Sequence, residues 1–296
     1  MSPERRAYLE LHVAVLLFGF TAILGDLIGL SALTLVWWRV ALTTFSLLFI
    51  VRVRKLWASL PVRLWRNYAG IGVLVALHWL TFYGAIKLAN ASIALVCMAT
   101  TSFFTALLEP AILRQRVKGF EIFLGLLIIP GMTLIVQHTD WDMQWGIVVG
   151  LCSAFLAALF STLNKKLIVH ASSLDITFIE LGTSWVFLSL LLPTYVWLVP
   201  EAPFWPTLRD WVYLLVLSLL CTTLAYVLAL RALNYLSAFA ANLTVNLEPV
   251  YGIALAWLVL REYEELDSGF YWGVVIILLA VLSYPFLRKR YEKVMG

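Results

Sequence analysis

The sequence predicts an all-α polytopic membrane protein, with ten transmembrane helices arranged as two inverted five-helix repeats. Three observations predict it: ten separate apolar stretches, a one-sided distribution of the basic residues, and a weak internal repeat. The stretches are 11–29, 33–51, 68–86, 91–112, 119–136, 146–164, 174–199, 210–230, 237–260 and 270–287. A hydrocarbon core of about 30 Å needs about 20 mostly apolar residues in a helix, and each stretch meets or approaches that length. Composition agrees, since 62% of the 296 residues are hydrophobic and 13% are charged. Soluble domains run at roughly 45–50% and about 25%. No Ser/Gly linker or long polar run interrupts the pattern, so a single membrane domain is expected.

The first stretch follows Arg5 and Arg6 and resembles a signal peptide, but it lacks a small-x-small cleavage site and a second span follows at once. It reads as a retained anchor. From there the loop charges order the remaining helices, because Lys and Arg stay on the cytoplasmic side. With the N-terminus inside, the inner segments hold Arg5, Arg6, Arg52, Arg54, Lys55, Arg63, Arg66, Arg114, Arg116, Lys118, Lys165, Lys166, Arg231, Arg288, Lys289, Arg290 and Lys293. The outer side receives only Lys87, Arg209 and Arg261, and Arg39 remains inside a span. A missed helix would scramble this 17-to-3 partition. The expected location is the cell membrane, with both termini cytoplasmic. The net charge of +4 reflects topology and anionic lipid head groups rather than a nucleic-acid partner. Cys97, Cys152 and Cys221 all lie in apolar stretches, with no disulfide framework and no metal-ligand spacing.

The two halves match at a shift of 141 to 147 residues. Ser31-Ala32-Leu33 before Arg39 aligns with Ser172-Ser173-Leu174 before Glu180, and the segment 85–90 aligns with 229–234. Further on, 102–116 falls on 249–263. Each match is weak, but all run in the same order. Five helices per copy is an odd number, so the second copy (138–296) must enter the membrane from the side opposite to the first (1–137). Inverted repeats characterise alternating-access carriers, whose sites lie near the midplane between the copies.

With these features the chain resembles the drug/metabolite transporter superfamily, EamA type. The resemblance spans the whole length and includes a helix followed by a short Gly-Glu-Arg-like turn, here Leu260-Arg261-Glu262 and, in the first half, Arg114-Gln115-Arg116. The first copy lacks the acidic residue, the second lacks the glycine and has its arginine displaced, and Ser102 stands where relatives often have proline. The resemblance implies a secondary carrier with a cavity lined by helices one to four and six to nine, and helices five and ten at the periphery. Relatives move amino acids, nucleotide sugars, sugar phosphates and cationic drugs.

Ionisable side chains near the bilayer centre cost about 2.5–3.5 kcal/mol on insertion scales, so each calls for a partner or a task. His78 and Glu248 are both near mid-helix and are the candidate proton-coupling pair. Asn242 and Asn246 share a stripe ahead of Pro249, whose missing N–H frees a carbonyl and kinks a helix. Thr101, Thr105 and Glu109 form a second stripe at four-residue spacing. The candidate substrate-binding set is His78, Tyr83, Thr101, Thr105, Tyr226, Asn242 and Asn246. Arg39, Glu109 and Glu180 are candidate gating residues. The competing readings are interhelical hydrogen bonding for His78 and the asparagines, an inner-rim ion pair with Arg114 for Glu109, and snorkelling to the interface for Arg39 and Glu180. Trp57, Trp65, Trp141, Trp145, Trp205 and Trp211 read as interfacial belts.

A polytopic membrane enzyme is the alternative class. The chain lacks His-Glu-x-x-His, Gly-x-Ser-x-Gly and a phosphate-binding glycine loop, and Asp140 and Asp142 sit in a short turn. A channel is the third class, against which the inverted repeat stands. No cofactor or metal is called for. The expected partners are the bilayer, a small-molecule substrate and protons as coupling ion, with a homodimer left open. Phosphorylated substrates want several cations, and Arg39 is the one placed well inside a span. The sequence therefore favours a neutral or zwitterionic solute such as an amino acid. Impermeant cysteine labelling in intact cells is expected to reach cysteines at Thr139 and Ser268 but not at Ser59 and Ser172. Labelling at Ser172 from outside would overturn the ten-helix map.

Overall fold

The computed structural model describes residues 2–137, 141–248, 251, 252, 255, 258 and 268–295. Thr139, Asp140, Pro249 and the Leu260-Arg261-Glu262 turn lie outside the described residues. The elements are α1 (Pro3–Leu27), α2 (Ala32–Leu48), α3 (Val53–Ser59), α4 (Val62–Leu88), α5 (Ala91–Ala99), α6 (Thr101–Leu113) and α7 (Gly119–Gln137). After them come α8 (Gln144–Leu167), α9 (Ser173–Leu198), α10 (Leu208–Ser218), a π-helical turn (Leu219–Leu224), α11 (Ala225–Leu233), α12 (Ala238–Val245) and α13 (Ser268–Met295). No strand occurs among the described residues.

Among the described residues, six helical stretches are long and apolar enough to cross a membrane: 3–27, 62–88, 91–113, 144–170, 173–198 and 208–233. A seventh is added if α2 and α3, bent by 90° to one another, count as one span. The protein is thus an all-helical, multi-pass membrane protein. α7 falls on the expected 119–136, and α13 overruns the expected 270–287 at both ends. α12 covers the start of the expected 237–260.

Local sequence explains where helices begin and break. Ser31 and Ser172, aligned in the sequence repeat, both cap helices, with Oγ accepting the Thr34 N–H (3.4 Å) and the Asp175 N–H (3.2 Å). Thr207 and Asp210 form a reciprocal capping box at the start of α10. Arg114 closes α6 in the left-handed conformation (φ 54°), donating its N–H to the Pro110 carbonyl. The π turn is the element that sequence reading missed. There the Thr222 and Thr223 hydroxyls donate five residues back, to the Leu217 carbonyl (2.6 Å) and the Ser218 carbonyl (2.9 Å). Thr43 on α2 donates to the Ser218 carbonyl as well (3.1 Å), locking the irregular turn to its neighbour.

Small residues let the helices approach, the packing that lipid favours because burial of apolar surface supplies no drive there. α4 packs on α8 and α9, α1 on α11, α6 on α8, and α13 on α7. Gly150 faces Cys97, and Gly146 faces Ala89. Gly72 lies directly against the Glu180 backbone carbonyl, and Ser184 Oγ donates to the Gly72 carbonyl at 2.6 Å. Polar contacts tie the helix ends together. Lys87 Nζ donates to the Ile28 carbonyl (2.9 Å), and Asp210 accepts the Gly29 N–H (3.0 Å). Elsewhere Glu10 pairs with both Arg6 and Arg231 (3.0 Å each), and Lys165 Nζ donates to the Leu233 carbonyl (2.7 Å).

Because a Cβ at position 72 would collide with the Glu180 carbonyl, Gly72→Ala is expected to cost about 1–3 kcal/mol. Gly182→Ala meets only Thr44 Cγ2 at 3.6 Å and serves as the control. Thermal midpoints of the two purified variants check this, with Gly182→Ala expected to match the parent or exceed it.

Candidate functional site

A cavity of about 120 Å³ lies among α1, α2, α4, α5, α6, α8, α11, α12 and the turn that carries Glu248. Its walls are mainly apolar, with Phe18, Phe82, Met98, Phe160 and Leu230 among them. Polar chemistry enters at a few points: Arg39, His78, Thr101, Ser161, Asn164, Tyr226, Asn242 and Glu248. Few, well-placed polar groups on an apolar wall are the ordinary make-up of a small-molecule site.

Arg39 is the largest buried polar side chain in the cavity wall, 2% exposed. Its guanidinium lies 4.0 Å over the Trp79 ring, donates from Nε to Thr222 Oγ1 (2.6 Å), and donates from Nη1 to Tyr83 Oη (2.8 Å). The snorkelling reading therefore fails: Arg39 starts two helical turns inside α2 and is held there by residues of α4 and the π turn. Tyr83 is fully buried and does not line the cavity; it holds the arginine that does. Trp79 is the ring under that charge. The Arg39 and Thr222 side chains meet across 183 residues, so no local signal could have found the pair.

His78 lines the cavity with its Nδ1 at 3.0 Å from the Ser153 carbonyl and 2.8 Å from Ser153 Oγ. A carbonyl can only accept, so in the neutral ring Nδ1 carries the proton and Nε2 is left as an acceptor. The ring sits against Phe82 and Phe160.

Glu180 is fully buried one layer behind the cavity and faces no mouth, so snorkelling fails for it too. Its Oε2 accepts the Tyr226 hydroxyl at 2.6 Å and the Asn164 amide at 3.2 Å, both from cavity-lining residues, while Oε1 has no partner. α9, the seventh of the expected helices, contributes no lining residue of its own. Glu109 likewise lies outside the cavity. It makes no ion pair with Arg114; its two carboxylate oxygens accept the Ala238 and Phe239 N–H groups (3.0 and 2.7 Å). A carboxylate at a helix N-terminus satisfies backbone donors and the helix dipole together.

The asparagine stripe is split. Asn242 lines the cavity and donates to Ser161 Oγ (2.6 Å) and Thr105 Oγ1 (2.8 Å). Asn246 turns away, donating to the Ala99 carbonyl (2.9 Å) and Ser102 Oγ (2.8 Å). The split is one of partners and not of register: the Asn246 N–H still donates to the Asn242 carbonyl (3.1 Å), and both amides reach α6, Asn242 at Thr105 and Asn246 at Ser102. Asn246 joins two interruptions, its own and the one at Thr100 between α5 and α6. Thr101 lines the cavity, whereas Thr105 is fully buried beneath Asn242. Glu248 lines the cavity, 5% exposed, and its carboxylate has no hydrogen bond among the described residues. Among the described residues no group of three or more His, Cys, Asp or Glu is placed to hold a metal.

The model of the EamA-like transporter family matches residues 5–137 and again residues 144–284. The chain belongs to the EamA-like transporter family. This EamA-like protein is 25% identical over 231 residues to an uncharacterized transporter of Clostridium kluyveri, which covers 74% of this chain and 71% of that one. Its fold is similar to that of a protein of known crystal structure, with a TM-score of 0.67 over 97% of this chain and 98% of the other; at 14% identity this shows the fold alone. The EamA-like chain is accordingly a membrane transporter.

Asn246 and Glu109 bond backbone groups of other helices, so Asn246→Ala and Glu109→Ala are expected to lower the thermal midpoint of the purified transporter. Each loss is on the order of 1–3 kcal/mol, the cost of stranding a buried partner. Glu109→Gln keeps one acceptor and should recover about half. Unchanged midpoints would remove these side chains from the list of structural ties.

Proposed function

We propose that the protein is a secondary active carrier that moves a small metabolite across the cell membrane by alternating access through the central cavity. The substrate is an amino-acid-like or other neutral or zwitterionic solute, and the direction is export. The observation that carries the reading is the cavity itself: one small, mostly apolar chamber built from helices of both stretches that match the family model. Carrier sites of inverted-repeat proteins lie at that kind of junction, close to interrupted helices.

In this reading the chain is ten transmembrane helices in two inverted repeats, 1–137 and 138–296, with both termini cytoplasmic. The two matched stretches, the equivalent caps at Ser31 and Ser172, and the end-sorted basic residues support that layout. The scarcity of cations supports the choice of substrate: Arg39 is the one Lys or Arg on the cavity wall, and a phosphate is commonly held by several. Protons are the proposed coupling ion, with His78 the group that exchanges them. It faces the cavity, and its Nε2 has no hydrogen-bond partner among the described residues.

Counterflow in proteoliposomes tests the carrier. Preloaded amino acid is expected to accelerate entry of labelled amino acid several-fold over empty vesicles, because a loaded carrier returns faster than an empty one. Entry that is indifferent to preloading would favour a channel, and no flux with any amino acid, amine, sugar or sugar phosphate would sink the transport reading. Under an imposed pH gradient, His78→Gln is expected to lower the ratio of accumulation to exchange at least tenfold. An unchanged ratio would assign coupling to another group or ion.

A further inference from the structure

We propose that Arg39 and Glu248 are the two poles of a zwitterion site, Arg39 taking the carboxylate of the solute and Glu248 its ammonium. The inference deepens the carrier reading given above and rests on it.

Both side chains are more than nine-tenths buried, and both line the same cavity. No ion pair joins them, since their charged atoms are more than 4.0 Å apart. Arg39 is fixed on one side only. Nε and Nη1 are committed to Thr222 and Tyr83, the plane rests on Trp79, and Nη2 makes no hydrogen bond among the described residues. Glu248 is opposite in sign and has no hydrogen bond among the described residues. Most neighbouring donors are already committed, the Asn242 amide to Ser161 and Thr105 and the Asn164 amide and Tyr226 hydroxyl to Glu180, while the Thr101 hydroxyl and Asn164 Oδ1 have no partner among the described residues. Among the described residues that line the chamber, the charged side chains of opposite sign are therefore this one cation and this one carboxylate, held apart.

Two opposite charges left apart in a low-dielectric chamber are a costly arrangement unless something completes them. A zwitterion completes both and leaves the chamber neutral. A plain amine or a plain acid completes one, leaves the other bare, and adds a net charge to the membrane interior, so discrimination comes from rejection as much as from attraction. The fixed plane of Arg39 also suits the two oxygens of a carboxylate. The apolar remainder of the wall, with Phe18, Phe82, Met98 and Phe160, selects an apolar side chain.

The test is ligand-induced thermal stabilisation of the purified full-length protein, with leucine and phenylalanine set against their decarboxylated amines (3-methylbutylamine, phenethylamine) and their deaminated acids (4-methylpentanoate, 3-phenylpropanoate). The parent is expected to bind a zwitterion at least tenfold more tightly than either truncated form. Glu248→Gln should lose its preference against the acid, and Arg39→Gln its preference against the amine, while Arg39→Lys retains the order of the parent. If Arg39→Gln does not fold, Glu248→Gln and Arg39→Lys still decide. Equal binding of truncated and complete ligands by the parent, no binding of either amino acid, or full discrimination retained in Glu248→Gln would each overturn the proposal. Counterflow of some other solute alongside such a result would leave the carrier reading standing, whereas absence of all counterflow would remove the carrier reading itself.

Discussion

The Arg39 guanidinium sits on Trp79 with no carboxylate against it, and the surrounding architecture is arranged around holding it there. A charge inside a membrane protein has to be solvated by the protein, because lipid offers nothing. Here the solvent is a ring face, a tyrosine hydroxyl and a threonine hydroxyl, drawn from α4 and from the π turn. The π turn is what brings Thr222 to the charge, and its wide spacing is in turn stabilised by the hydroxyls of Thr222 and Thr223 and by Thr43. One buried cation thus ties the irregularity of the eighth expected helix to α2 and α4.

The same constraint governs the rest of the polar interior. Helix interruptions expose backbone groups that must find partners within the protein, since irregular backbone is tolerated at membrane depth only where it is satisfied or borders a cavity. Asn246 spans from its own interruption to the Ala99 carbonyl beside the other, and Glu109 takes up the first N–H groups of α12. These residues are chemically conspicuous in the sequence, yet what they bond is backbone. Residues that do reach the cavity differ in having atoms that this internal exchange leaves over, as Arg39 Nη2, His78 Nε2 and the Glu248 carboxylate do.

Close helix approach has a separate origin. α4 runs between α8 and α9 and meets both through positions where a side chain would not fit, Gly72 toward α9 and Gly146 on α8, while Gly150 on α8 admits Cys97 of α5. The seam that carries the Glu180, Asn164 and Tyr226 network is therefore set by backbone contact, and the network forms because the helices are close enough for short side chains to bridge.

The sequence by itself determined the solvent and the helical class, because hydropathy over about 20 residues is a local quantity that needs no partner, and its resemblance to EamA-type transporters pointed to the family. It also picked out most of the polar residues that face the cavity, His78, Thr101, Tyr226, Asn242, Glu248 and, as a gate, Arg39, since any polar side chain within a span is costly enough to be noticed. Tertiary structure alone decided which of these share a chamber and which are ties. Asn246 met Ser102 and the Ala99 carbonyl in place of the cavity, Tyr83 and Glu180 fell one layer behind the wall, and Glu109 found a helix end in place of Arg114. The π turn and the seat of Arg39 on Trp79 and Thr222 were beyond sequence reading for one physical reason: they are set by the approach of helices far apart in the chain, and periodicity within one helix carries no information about its neighbour.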